Sequence, residues 1–327
     1  MTAPTDWRIY RGDGVIDPTR LSERPDAPPW RDFNNLATNR AENFKPPKHA
    51  VEAVNAALYL RRPVLVTGDP GTGKSSLAYS VARELGLGEV LTWNVNSRTT
   101  LVQGLYDYDA LARLRAANLE RLRTAKPGEQ AGFASEDIGT FITLGAIGTA
   151  FMAPLKKPRV VLIDEIDKSD VDLPNDLLHV FENGQFEIPE LVRIARTKPS
   201  VEVRTLDGKK AIIDRGSVNC QEFPIVIITS NNERDLPPAF LRRCLPIELP
   251  RPKEEELRDI VAKHLPEGDA TALEEVLTAF LTRRGETNVL ATDQLLNAFY
   301  LVTRGKTISP TDRTEIENIV FRELEKR

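Results

Sequence analysis

Eight consecutive residues constrain this chain more than anything else in it: Gly68-Asp69-Pro70-Gly71-Thr72-Gly73-Lys74-Ser75. An apolar run, Val64 to Thr67, precedes them, and a helical periodicity over Lys74 to Leu85 follows. Strand, glycine-rich loop and helix in that order build an anion cradle. Glycine lets the backbone curl until successive N–H groups face one point. The helix then presents its positive end to the same point. Lys74 adds a mobile ammonium for the outer phosphates, the Ser75 hydroxyl is placed to ligand Mg²⁺, and Ser76 continues the polar helix start. Gly68 to Ser76 are therefore read as the residues that bind a nucleoside triphosphate with Mg²⁺.

A second strand signal ends in acid: Val160-Val161-Leu162-Ile163-Asp164-Glu165. Four apolar residues in a row fit a strand covered on both faces. Asp164 is placed to hold the metal, and Glu165 to polarise an attacking water. Asp167, two residues on, reads as helix-start chemistry or solvation rather than catalysis. A third apolar run, Ile225 to Thr229, leads into Ser230-Asn231-Asn232. Ligands gather at the carboxyl ends of strands in doubly wound sheets, which makes Asn231 a candidate to orient the water. Beyond it, Arg242 and Arg243 end a short helix. They are either a solvated helix end or an arginine finger that reaches the nucleotide of a neighbouring subunit.

Composition narrows the class. Lys plus Arg is 44 and Asp plus Glu is 48, so the net charge is −4, which argues against nucleic acid as the principal partner. No apolar run approaches a membrane span, and the first ten residues lack the apolar core of a secretory signal, so the expectation is a cytoplasmic protein without membrane insertion. Two cysteines exclude a disulfide framework, and the three histidines, His49, His179 and His264, have no metal-ligand spacing.

The first 47 residues are proline-rich with interspersed Trp7, Trp30, Phe33 and Phe44. This reads either as a disordered tail or as an arm packed on the body of the protein or on a neighbouring subunit. Residues 48–250 carry the strand and helix alternation. After Pro250 only amphipathic helices follow, marking 251–327 as a separate helical domain. A helix is expected over Leu105 to Arg123. Tyr106 and Tyr108 either line a central pore or pack as alternate residues of a strand.

Together these motifs resemble the AAA+ ATPases. Gly68–Ser75 is similar to Walker A, Val160–Glu165 to Walker B and Ile228–Asn231 to sensor 1. Arg243, with Arg242 beside it, stands where the family's arginine finger falls. The resemblance implies an α/β P-loop NTPase fold: a parallel sheet with helices on both faces, then a small all-helical lid. Within that family the chain is most similar to the MoxR type. An insertion at about 104–145 resembles the helix-2 insert, and another at about 186–218, with a turn at Leu206-Asp207-Gly208-Lys209, resembles the pre-sensor-1 hairpin. Gln294 stands where MoxR relatives carry the sensor 2 arginine. What this implies is a ring, as a hexamer, that hydrolyses ATP to remodel or activate a protein partner, such as one with a von Willebrand factor A domain. The alternatives are a slow nucleotide-dependent switch or scaffold in a multi-protein, defence-related system, and a nucleic-acid-associated motor.

Overall fold

The computed structural model describes residues 7–124, 138–265, 270–287, 290–304 and 310–321. The expected loop at Lys126 to Gly132 lies outside them, as do residues 322–327. Eleven strands occur among the described residues: β1 (Val64–Thr67), β2 (Leu91–Asn94), β3 (Tyr106–Tyr108), β4 (Ile142–Leu144), β5 (Val160–Asp164), β6 (Gln185–Glu187), β7 (Ser200–Arg204), β8 (Lys210–Asp214), β9 (Ser217–Asn219), β10 (Ile225–Ser230) and β11 (Leu245–Glu248). The chain packs as two compact units. One draws on Pro46–Thr67 and Leu77–Glu248, the other on Met1–Lys45, Gly68–Ser76 and Leu249–Arg327.

The first unit is built on an all-parallel sheet of order β11-β1-β10-β5-β2. Its central strands are Val- and Ile-rich because helices cover both faces; every residue of β10 is buried. Register aligns Thr67 with Ser230, and Ile228 with Ile163, so β1, β10 and β5 end at one edge. The fifth strand, β11, escapes sequence reading because it contains Pro246. Proline is tolerated there because the strand pairs only with β1, at the sheet's margin. After β5, the helix Leu173–Asn183 begins with Pro174 in its first turn and ends on Gly184, at φ 60°, whose N–H bonds Val180 O at 2.9 Å.

Both insertions join a second sheet of order β3-β4-β7-β8-β9-β6. The expected helix over Leu105 to Arg123 is broken: Leu101–Leu105 is helical, β3 follows, and helix resumes at Ala110–Thr124. The alternating tyrosines of β3 pair antiparallel with β4 and override helical propensity. Tyr106 is buried and donates to Glu190 Oε2 at 3.2 Å. Tyr108 accepts from Arg113 at 2.9 Å. They are packed strand residues, and burial with the nearby Glu190 carboxylate pushes the Tyr106 phenol up to about 12.

The β7–β8 turn is anchored rather than free. The Asp207 carboxylate accepts from Thr205 Oγ1 at 2.6 Å, Lys209 at 2.9 Å and Arg159, the residue before β5, at 2.8 Å. Leu206 N–H bonds Thr149 Oγ1 at 2.9 Å. Burial raises the Asp207 pKa, but these donors outweigh it and hold the carboxyl well below the usual range. Its stabilisation is therefore complete above its unfolded pKa of about 3.9 and is lost as pH falls toward the folded value. Asp207→Asn should lower neutral-pH stability by about 1.5–3 kcal/mol. Urea unfolding across pH should also show a shallower acid loss in the variant than in the wild type below about pH 4.

Candidate functional site

The phosphate loop leaves β1 at Gly68 and enters the helix Ser76–Glu84. Gly68, Gly71 and Gly73 all have positive φ, at 144°, 78° and 86°. A Cβ at Gly68 would lie 2.5 Å from Leu249 O, and one at Gly73 would lie 2.8 Å from the Phe44 ring. Glycine is required at both positions by conformation and by space. Thr72 Oγ1 donates to Asp69 O at 2.9 Å and braces the curl. Lys74 is buried, with Nζ bonded to the Gly68 and Asp69 carbonyls at 2.8 Å each. The loop thus holds an ammonium ready for an anion. Ser75 and Ser76 are half-buried at the helix start, while Asp69, Pro70 and Gly71 are exposed. The Asp69 carboxylate pairs with Arg251.

The acidic end of β5 is organised by a residue that sequence reading passed over. Thr229 Oγ1, on buried β10, donates to Asp164 Oδ1 at 2.7 Å and accepts the Glu165 N–H at 2.8 Å. One hydroxyl uses both its capacities to orient two acids. A threonine within an otherwise apolar strand was the available signal. Glu165 sits in the left-handed region at φ 62°, uncommon for a residue with a side chain, and its Oε2 pairs with Lys168 at 2.8 Å. That bond raises the Lys168 pKa.

Asp167 corrects the reading of solvation. It is 2% exposed, and its Oδ2 accepts the N–H groups of Asn231 and Glu233 at 2.9 and 3.0 Å. A buried carboxylate after β5 therefore fixes the turn after β10. Asn231 is placed through its backbone, and its carboxamide donates to Glu233 Oε1 at 3.4 Å.

Arg242 is exposed at the end of the helix Pro238–Leu241. Arg243 is half-buried, paired with Glu182 and donating to Ala239 O at 3.3 Å. Gln294 is engaged within the helical unit: Oε1 accepts Ala291 N–H at 2.9 Å and Nε2 donates to Val320 O at 3.0 Å. His179 is exposed, while His264 is half-buried and its pKa is lowered by that burial. Among the described residues no group of three or more His, Cys, Asp and Glu side chains is placed to hold a metal by itself, and no described helix is long and apolar enough to cross a membrane.

A family model described as AAA domain (dynein-related subfamily) matches residues 63–244. Among solved structures, domain III of the Thermotoga maritima replication initiation protein DnaA is similar at 17% identity and a TM-score of 0.43, over 87% of this chain and 98% of that one. So loose a superposition has no bearing on activity.

The Thr229 bridge makes a direct prediction. Thr229→Val keeps the shape but leaves the Glu165 N–H without its acceptor and Asp164 without its donor. Thermal unfolding should show a loss of about 1–3 kcal/mol. An unchanged melting temperature would contradict the bridging role.

Proposed function

Because this chain belongs to the AAA domain family, dynein-related subfamily, through more than half its length, we propose that it binds and hydrolyses ATP with Mg²⁺. The observation that carries this reading is topological. β1 and β5 flank β10 in one parallel sheet, so the phosphate loop and the acid pair leave from the same edge. The residues fit the group. The loop's three glycines hold the positive φ that curls its backbone, and Lys74 gives two hydrogen bonds to loop carbonyls that phosphate oxygens can replace.

In this reading the loop amides and the helix start take the phosphates, and Lys74 turns to the β/γ-phosphates. Ser75 and Asp164 are the residues to hold magnesium, which when bound neutralises charge on the phosphate oxygens. Glu165 leaves Lys168 and accepts a proton from the attacking water at its carboxylate. Asn231, held by Asp167, orients that water. Arg243, or Arg242 beside it, is offered to the nucleotide of the next copy. The guanidinium is always charged and can face a phosphoryl group with two donors.

The working form is a cytoplasmic ring of MoxR type, a hexamer acting on a protein partner such as one with a von Willebrand factor A domain. Support comes from the two insertions, which share one sheet. A second reading, a slow nucleotide switch, is favoured by Gln294. Its amide is committed inside the helical unit, and no arginine occupies that position.

Lys74→Ala should abolish ATP–Mg²⁺ binding in titration calorimetry. Glu165→Gln should still bind while turnover drops by about 10²–10⁴. Arg243→Ala should bind ATP yet turn over slowly, and mixing it with Lys74→Ala should restore part of the activity. Failure of that complementation, with activity independent of protein concentration, would make the enzyme a self-contained monomer.

A further inference from the structure

The proline-rich arm is packed, and its two ends rest on different parts of one compact unit. At one end Trp30 joins the apolar core of the helical domain. Its indole N–H donates to Asn297 Oδ1 at 3.0 Å, and its ring meets His264 and Tyr300 edge-on, both with centroids at 5.9 Å. Tyr300 in turn donates to Asp26 O, and Arg8 pairs with Asp312 and Glu315 at 2.8 and 2.9 Å. At the other end Phe44 lies against Gly73 of the phosphate loop, so close that a Cβ there would meet its ring at 2.8 and 2.9 Å.

A short rigid piece joins the two ends. Helix Leu36–Asn43 is capped at its C-terminus by Phe44 itself. Asn39, on that helix, donates to Pro29 O at 2.9 Å, beside Trp30. Asn43, its last residue, bonds His264 at 3.2 Å. Eight helical residues span about 12 Å and transmit a displacement rather than absorb it. The loop meets the helical domain directly as well: a Cβ at Gly71 would lie 3.0 Å from Thr292 N.

We propose that the arm is a strap that couples the helical domain to the phosphate loop, with Trp30 as its anchor and Phe44 as a positioning residue that holds the loop at Gly73. Three positive-φ glycines give the loop many unbound conformations, and ordering them opposes binding. A ring packed on Gly73 removes part of that freedom beforehand. A motion of the helical domain that unseats Trp30 withdraws the ring and loosens the loop. The nucleotide consequence rests on the ATP reading; the mechanical coupling does not.

The test therefore starts without nucleotide. Hydrogen exchange at the amides of 68–76 should quicken about fivefold in Phe44→Ala and equally in the remote Trp30→Ala. The double variant should quicken no further, because both residues act through one element. Asn297→Ala removes only the indole's acceptor, leaves the apolar core intact, and should move the loop in the same direction to a smaller extent. Unchanged loop exchange in Trp30→Ala, or arm amides that quicken in Asn297→Ala without the loop, overturns the strap; so do single effects that multiply in the double variant. ATP–Mg²⁺ affinity should fall about three- to tenfold in Phe44→Ala and Trp30→Ala. A wild-type protein that binds no ATP overturns the nucleotide reading and leaves the exchange result to decide the coupling.

Discussion

Parallel pairing of β1, β10 and β5 is the constraint on which the rest depends. Parallel strands deliver their carboxyl ends to one edge, and the chain must leave each of them there. The glycine loop follows β1, the acids end β5, and Ser230-Asn231 end β10. Those exits are set by the register of apolar residues buried on both faces, where a slip of one position would turn every side chain over. The burial of Val160 to Ile163 and Ile225 to Ile228 therefore fixes where the polar residues emerge.

At that edge, polar groups enter a sheet that offers little water, and each must be satisfied locally. Thr229 and Asp167 do most of this work, while Asp167 Oδ1 is itself buried with no hydrogen-bond partner among the described residues. The first ties both acids of β5 to β10, and the second ties the turn after β10 back to the segment after β5. Four hydrogen bonds join the two neighbouring segments, three donated from the β10 side and one from the Glu165 N–H. Glu165 carries its left-handed backbone inside that network, a conformation that costs of order 1 kcal/mol or more and persists only where surroundings enforce it. The ion pair with Lys168 gives the carboxylate a resting partner.

Away from the sheet, residues distant in sequence complete each other. The two insertions are separated by β5 and its following helix, yet β4 and β7 pair at Thr143 and Arg204. The hairpin turn is pinned by Asp207 to Arg159. The arm, the phosphate loop and the helical domain form one unit although the sheet domain lies between them in the chain.

Local chemistry was legible in the sequence. Glycine spacing, apolar runs ending in acid, and the change to amphipathic helices each report a backbone preference or a solvation requirement within a few residues. The α/β class with its parallel sheet, the curl at Gly68, Gly71 and Gly73, and the helical C-terminal region follow from such signals. Tertiary structure alone decided what depended on partners far away. Tyr106 and Tyr108 became a strand because β4 pairs with them, and Leu245–Glu248 became one because β1 does. Asp167 went inside because two N–H groups 64 and 66 positions away needed an acceptor. Gln294 turned inward to Val320 O, and Phe44 came to rest on Gly73. A sequence pattern encodes which groups need burial or a hydrogen-bond partner; only the folded chain supplies the partner, because that choice is made by three-dimensional proximity.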